Sequence, residues 1–236
     1  MTLKVHHLTV SQSERVVWLC EELGLDYELV VHERAPIFAP AEYKALHPLG
    51  AAPVIQDGDL TLAESAACVE YICQKHAGGR LIVKPEASNY ADYIYWFHFA
   101  NSTLQSTLMR TFTFRSAGVP DDNPTVQRLL AKQAEILAYV DKRLSQVQYL
   151  AGDELTAADI MSVVSLTSMR CFASFSLEGY DNILAYLQRI AAREGYQRAI
   201  KKGDADLDIA QLVGAASPPM QKGLAQILKA REQSKA

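Results

Sequence analysis

The stretch Ala51-Ala52-Pro53-Val54-Ile55-Gln56-Asp57-Gly58-Asp59-Leu60-Thr61-Leu62-Ala63-Glu64-Ser65 decides how this chain is read. Proline has no amide hydrogen and cannot donate to a sheet ladder, so Pro53 belongs at a strand's first residue, where the backbone beside it can face a ligand. That makes Ala52 a candidate ligand contact. Asp57-Gly58-Asp59 is a tight-turn signal between Val54-Ile55 and Leu60-Thr61-Leu62, so the two runs read as a β-hairpin. The hairpin leads straight into Glu64-Ser65, two polar residues that open an apolar-periodic helix through Val69, Ile72 and Cys73. Helix N-termini bind anions.

Upstream, Leu3 to Leu8 is apolar enough for a buried strand. Val16, Leu19, Cys20 and Leu23 follow at helical spacing until Gly24, and Tyr27 to Val31 reads as a second strand. A strand-helix-strand unit of this kind is a right-handed crossover, so the two strands should be parallel. Ala35-Pro36-Ile37-Phe38-Ala39-Pro40 is too proline-rich for regular structure, and Ala41 to Leu46 supplies one or two helical turns. The order β-α-β-α-β-β-α then closes with the helix that starts at Ser65. Gly78-Gly79 stops that helix, and Leu81 to Ala87, carrying Pro85, reads as a linker.

From Ser88 onward the strand signals vanish. The pattern predicts one long aromatic helix from about Tyr90 to Phe114, and a second from Thr125 with Val126, Leu129, Leu130, Leu137, Val140 and Leu144 on one face. Thr156-Ala157-Ala158-Asp159 stands just before Ile160, Val163 and Val164. Its hydroxyl and carboxylate form a capping box, worth about 1 kcal/mol. Tyr180 to Arg193 and Gly195 to Lys201 read as further helices, Ser217-Pro218-Pro219 breaks the chain, and Met220 to Glu232 is a charged amphipathic segment. The expected organisation is an α/β domain over 1–80, a linker over 81–89, an all-α domain over 90–203, and a C-terminal extension over 204–236, helical or mobile.

With 236 residues, 49% hydrophobic and 21% charged, the chain has the balance of a globular protein with ample core. A net charge of -4 argues against a nucleic-acid partner. No apolar run approaches the roughly 20 residues needed to span a bilayer. Met1-Thr2-Leu3-Lys4-Val5 leads into a strand instead of a signal peptide, so the expected compartment is the cytoplasm. Cys20, Cys68, Cys73 and Cys171 sit in helical apolar patterns without a C-x-x-C pair and read as reduced core residues. His6 and His7 on one strand point to opposite faces and cannot share a metal ion, and no other metal-ligand pattern is present.

The chain resembles the glutathione transferases. The likeness rests on His47-Pro48-Leu49-Gly50-Ala51-Ala52-Pro53, on Leu62-Ala63-Glu64-Ser65, on Thr9-Val10-Ser11-Gln12-Ser13-Glu14-Arg15 with Val17-Trp18-Leu19-Cys20-Glu21-Glu22-Leu23-Gly24-Leu25, and on Ala151-Gly152-Asp153 ahead of the capping box. It covers about residues 1 to 200. Within the family the chain looks most like the bacterial and fungal serine-type group that includes yeast microsomal-type transferase one. The resemblance implies a thioredoxin-like α/β N-terminal domain (βαβαββα) followed by an all-α helical C-terminal domain. It also implies a cis Ala52–Pro53 bond. Only about 5–6% of X-Pro bonds are cis, so the residues alone read Pro53 as trans.

The activity implied is ionisation of the glutathione thiol. A free thiol with pKa ~8.5 is only about 3% ionised at neutral pH. Lowering that value by two units makes roughly three quarters of it thiolate, at about 2.7 kcal/mol. One hydroxyl donor plus a helix N-terminus can supply that much. In serine-type members the activating serine lies four residues before an arginine, as Ser11 does before Arg15. Ser13 is the competitor, because either serine can serve only as an N-cap. No tyrosine or cysteine lies in this loop, which disfavours the tyrosine and cysteine types.

Carried over from the family, Ser65 takes the γ-glutamyl carboxylate and Glu64 the α-ammonium group. Ala52, with Pro53 and Val54 beside it, bonds the cysteinyl backbone as an added strand. Relatives often have a basic or amide side chain where Ala51 stands, so Lys44, or else His32 or Arg34, would have to meet the glycine carboxylate. Tyr95, Phe99, Thr103, Met109 and Arg110 are candidates to line the electrophile site. The implied protein is a cytoplasmic homodimer that uses glutathione as co-substrate, needs no metal, and conjugates it to small hydrophobic electrophiles. Two alternatives stand beside it: a glutathione-dependent peroxidase or disulfide reductase, and a non-catalytic glutathione-binding or regulatory protein, which the Ala51 departure keeps open.

Overall fold

The computed structural model of the chain describes residues 2–233. Strands β1 (Leu3–Leu8), β2 (Tyr27–His32), β3 (Val54–Asp57) and β4 (Leu60–Ala63) form one sheet in the order β2-β1-β3-β4. β1 and β2 are parallel, joined by helix α1 (Glu14–Leu23), while β3 runs antiparallel to both β1 and β4. With α2 (Ala41–Lys44) and α3 (Ser65–Lys75) the thioredoxin-like βαβαββα order is complete. α1 is buried almost all round, because it packs on β1 and α3 and is covered in turn by the helical half. It ends on Gly24 in the left-handed conformation, φ 63°, whose N–H returns to the carbonyls of Cys20 and Glu21.

The remaining regular elements among the described residues are helices, apart from an isolated Tyr149–Gly152 bridge. The single helix expected from Tyr90 to about Phe114 is α4 (Tyr90–Phe99) and α5 (Ser106–Ser116), separated by a π-helical turn at Ala100–Gln105. Two local features accompany the widened turn. Ser102 and Ser106 donate their hydroxyls to the carbonyls of His98 and Ser102, at 2.8 and 2.6 Å, a back-bonding that bends helices. The side chains of Asn101 and Gln105 are drawn inward to Arg15. π-Turns are frequent at functional sites, and this one lies beside the site described below.

Helix α6 (Pro124–Leu144) is capped by Asn123 and buries Val126, Ile136, Leu137, Val140 and Leu144. α7 (Ala157–Leu166) is buried along its whole length and carries the expected capping box. α8 (Asp181–Ala191), α9 (Glu194–Gly203), α10 (Ile209–Leu212) and α11 (Lys222–Gln233) follow. Glu22 pairs with Arg193, and Glu21 with Arg198 and Lys202, which ties α1 to the α8–α9 segment. The extension beyond Gly203 packs back on the body: Arg170, fully buried, donates to the carbonyls of Leu212, Gly214, Ala215 and Ala216. The end of the extension expected over 204–236, residues 234–236, lies outside the described residues. No described helix is long and apolar enough to cross a membrane. All four cysteines are free and buried, and burial pushes the thiols of Cys68, Cys73 and Cys171 up to about 12.

Candidate active site

The site is built where β1 turns into α1. Val10 has φ 51°, a left-handed conformation that β-branched residues rarely adopt. It is held from two sides. Its N–H donates to Asp204 Oδ1 at 2.7 Å, and Arg34 donates to the carbonyls of Thr9 and Val10 at 2.7 and 2.8 Å. The bend presents Ser11 to a cavity of about 430 Å³. Gln12, Ala51 and Ala52 line it from the thioredoxin-like half, and Gln105, Met109, Phe112 and Phe172 from the helical half.

Ser13 is placed differently. It is completely buried, accepts the Leu8 N–H at 3.0 Å, and meets His7 Nδ1 at 2.9 Å and Ser11 Oγ at 2.7 Å. It occupies the residue before α1 without capping the helix by its side chain. Of the two serines, only Ser11 lines the cavity.

The Ala52–Pro53 peptide is cis, and Ala52 lies two residues before the first paired residue of β3, Val54. Across from it α3 begins at Ser65, 2% exposed, whose hydroxyl accepts from Arg15 at 2.8 Å and from Asn101 at 3.3 Å. Glu64 precedes it, exposed, with φ 72°. The Arg15 guanidinium also donates to Gln12, Asn101 and Gln105 at 2.9, 2.7 and 2.8 Å. Burial lowers its pKa to about 9, with Glu14 opposing, so it remains a cation at neutral pH. A buried positive charge beside the first turn of α3 adds to the pull of that helix end on an anion.

Next to Arg15, burial pushes the Glu14 carboxyl up to about 8, with the charge of Asp204 adding to the effect. Its folded-state value exceeds the ordinary 4.5, so the native chain holds this proton more tightly than the unfolded one. Stability therefore falls as pH rises through that window, by on the order of 1.4 kcal/mol per unit at most. Glu14→Gln has no such proton to lose. Urea melts at the two ends of the window should show a stability loss with rising pH that is smaller in the variant by up to about 5 kcal/mol; parallel losses would contradict the assignment.

The remaining expected residues are scattered. Lys44 is exposed on α2, its ammonium 6.0 Å from the Phe38 ring, beside Gly50 and Phe38 but not lining the cavity. His32 bonds His6 at 3.1 Å. Of the five electrophile-site candidates only Met109 lines the cavity. Tyr95 and Phe99 instead stack with Trp96 and Tyr139 in an aromatic cluster between α4 and α6. Arg110 is exposed and Thr103 half-buried, both away from the cavity. Aromatic spacing identifies a packed face but not which cavity it faces. Gln12, Asn101, Gln105, Phe112 and Phe172 were missed. The two amides Asn101 and Gln105, four residues apart and so on one helical face, were the available signal.

Residues 11–75 match the family model of the glutathione S-transferase N-terminal domain, and residues 103–194 that of the glutathione S-transferase C-terminal domain. Glutathione S-transferase 3 of Schizosaccharomyces pombe is 30% identical over 217 residues, which span 84% of this chain and 86% of that protein. The chain belongs to the glutathione S-transferase family. Among solved structures this transferase is similar to a glutathione S-transferase of Actinobacillus pleuropneumoniae, with a TM-score of 0.79 and 32% identity over 89% of this chain and 96% of that one. A glutathione S-transferase-I bound with lactoylglutathione has a TM-score of 0.65 and 25% identity, covering 84% of the transferase described here and 98% of its own chain. Glutathione is the substrate of this family.

Proposed function

We propose that this transferase ionises the glutathione thiol with Ser11 and conjugates it to small hydrophobic electrophiles. The observation that carries the reading is the contrast between the two serines: Ser11 opens onto the cavity while Ser13 is sealed behind it. The γ-glutamyl carboxylate goes to Ser65 and the first amides of α3 over the Arg15 cation, and Glu64 meets the α-ammonium group. Ala52 and its cis peptide, followed by Val54, offer the cysteinyl backbone an edge, and Lys44, exposed on α2 beside Gly50, meets the glycine carboxylate. The electrophile enters against Met109, Phe112, Met169 and Phe172, apolar walls that favour partition of a hydrophobic molecule. Holding thiolate and electrophile together supplies the rest of the acceleration by proximity.

The chain acts as a homodimer in the cytoplasm in this reading. Support comes from exposed Ile94, Tyr95 and Tyr139 on α4 and α6, an apolar patch of the kind that pairs, and from four free thiols, which suit a reducing compartment. Calorimetric titration with glutathione, followed by assays with a halogenated aromatic, an organic hydroperoxide and a mixed disulfide, tests the function. Binding with conjugation as the fastest of the three is expected; binding with no turnover of any would overturn it. Ser65→Ala removes one hydrogen bond to a carboxylate, worth about 1.5–3 kcal/mol. It should raise KM for glutathione at least tenfold while kcat stays within about twofold, and an unchanged KM would remove Ser65 from the site.

A further inference from the structure

Behind Ser11 lies a chain of hydrogen bonds that binding and conjugation, as described, do not use. Ser11 Oγ is 2.7 Å from Ser13 Oγ, Ser13 Oγ is 2.9 Å from His7 Nδ1, and His7 Nε2 is 3.0 Å from Asp204 Oδ2. The last two residues are 197 positions apart and are 0% and 3% exposed at their side chains. The imidazole is also clamped from above. A Cβ on Gly203 would come within 3.0 Å of His7 Nε2, so the backbone of α9 lies against the ring.

We propose that the Asp204–His7 pair, acting through Ser13, sets the direction in which Ser11 donates, which makes both positioning residues for thiol ionisation; this rests on Ser11 being the thiol's partner. A carboxylate only accepts, so His7 Nε2 carries a proton toward Asp204. If the ring is neutral, Nδ1 must accept, and Ser13 gives its single proton to that nitrogen at 2.9 Å in preference to the Leu8 carbonyl at 3.3 Å. Ser13 Oγ already accepts the Leu8 N–H, its remaining lone pair is open to the Ser11 proton, and Ser11 Oγ accepts the Ser13 N–H at 3.2 Å. Ser11 then points inward, away from the sulfur. If the ring is an imidazolium, Nδ1–H donates to Ser13, Ser13 donates to Ser11 Oγ, and the Ser11 proton is turned out toward the cavity. Asp204 also pins Val10 through its other carboxylate oxygen, so loop shape and donor direction share one anchor.

The charged and titratable groups around the pair are Glu14 on α1, Arg34 after β2, His32 on β2, Tyr196 on α9 and Cys171, each of which feels Asp204 or His7. None of them bonds to the relay itself.

Coupling of this kind is reciprocal: if imidazolium favours thiolate, bound thiolate must favour imidazolium by the same factor. The test is an NMR titration of the His7 ring in the full chain saturated with glutathione or with S-methylglutathione, which has no thiol to ionise. Ultraviolet absorbance of the bound thiolate is recorded in parallel. Glutathione should make the ring hold its proton about tenfold more tightly than S-methylglutathione does. In Ser13→Ala that difference should disappear, and the bound thiol should become about tenfold harder to ionise while KM for glutathione stays within about twofold. If that variant does not fold, the comparison of the two ligands on the native chain decides alone. A lowered thiol with His7 titrating identically in both complexes overturns this inference only. A bound thiol that titrates like free glutathione overturns the Ser11 reading and this one with it.

Discussion

Ser11→Ala should lower kcat/KM with a halogenated aromatic substrate at least tenfold, while the fold survives. A hydrogen bond to a charged group contributes about 1.5–3 kcal/mol, which is ten- to over a hundredfold in rate if the thiolate is its acceptor. The loss should be felt in turnover at saturating glutathione, because the proposed γ-glutamyl anchor, the bonded Ser65–Arg15 pair, is untouched. The cost in stability should be small. Ser11 is only partly buried, and its removal leaves Ser13 with the Leu8 N–H and His7 as partners. A steady-state assay of the purified variant, with circular dichroism to check folding, measures this. Turnover equal to that of the native chain would contradict the assignment.

Asp159→Ala should be the most destabilising single change in the helical half, by about 3–5 kcal/mol. Asp159 is fully buried and accepts the N–H of Leu150, the N–H of Thr156 and the hydroxyl of Tyr186, each at 2.9 Å. Burial pushes its carboxyl up while those donors pull it back, so the group is held in place by donors that have no water to turn to. Truncation orphans all three at about 1–3 kcal/mol each, with partial relief as the cavity relaxes. For a chain of this size each kcal/mol moves Tm by about 2–4 °C, so thermal unfolding should begin about 10 °C lower. Residual folded protein should keep its KM for glutathione, since Asp159 bonds to none of the cavity-lining residues. A loss under about 1 kcal/mol would mean the capping box is dispensable.

What could be read from sequence followed the strength of local rules. Pro53, the Asp57-Gly58-Asp59 turn and the Gly24 stop act over a few residues, and each has its expected place in the fold. The Thr156–Asp159 box is equally local and is present. The site was legible where it depends on one short loop, and illegible where it depends on distant chain segments. Arg15 was visible as a marker for Ser11. That it gathers Gln12, Ser65, Asn101 and Gln105 depends on a π-turn no spacing rule signals. Asp204 sat in a stretch read only as the start of a looser tail, and its tie to His7 spans nearly the whole chain. Tyr95 and Phe99 show the limit of helical periodicity, which marks an apolar face but not its neighbour: both meet Tyr139 of α6.

The central claim is that the Ser11 hydroxyl stabilises the sulfur anion of bound glutathione. Titrating the ultraviolet absorbance of that thiolate on the native chain and on Ser11→Ala tests it most directly. The account predicts a bound thiol lowered by about two units from ~8.5 in the native chain and returned most of the way by the substitution. Equal titration curves in the two proteins, with glutathione bound to both, would contradict it.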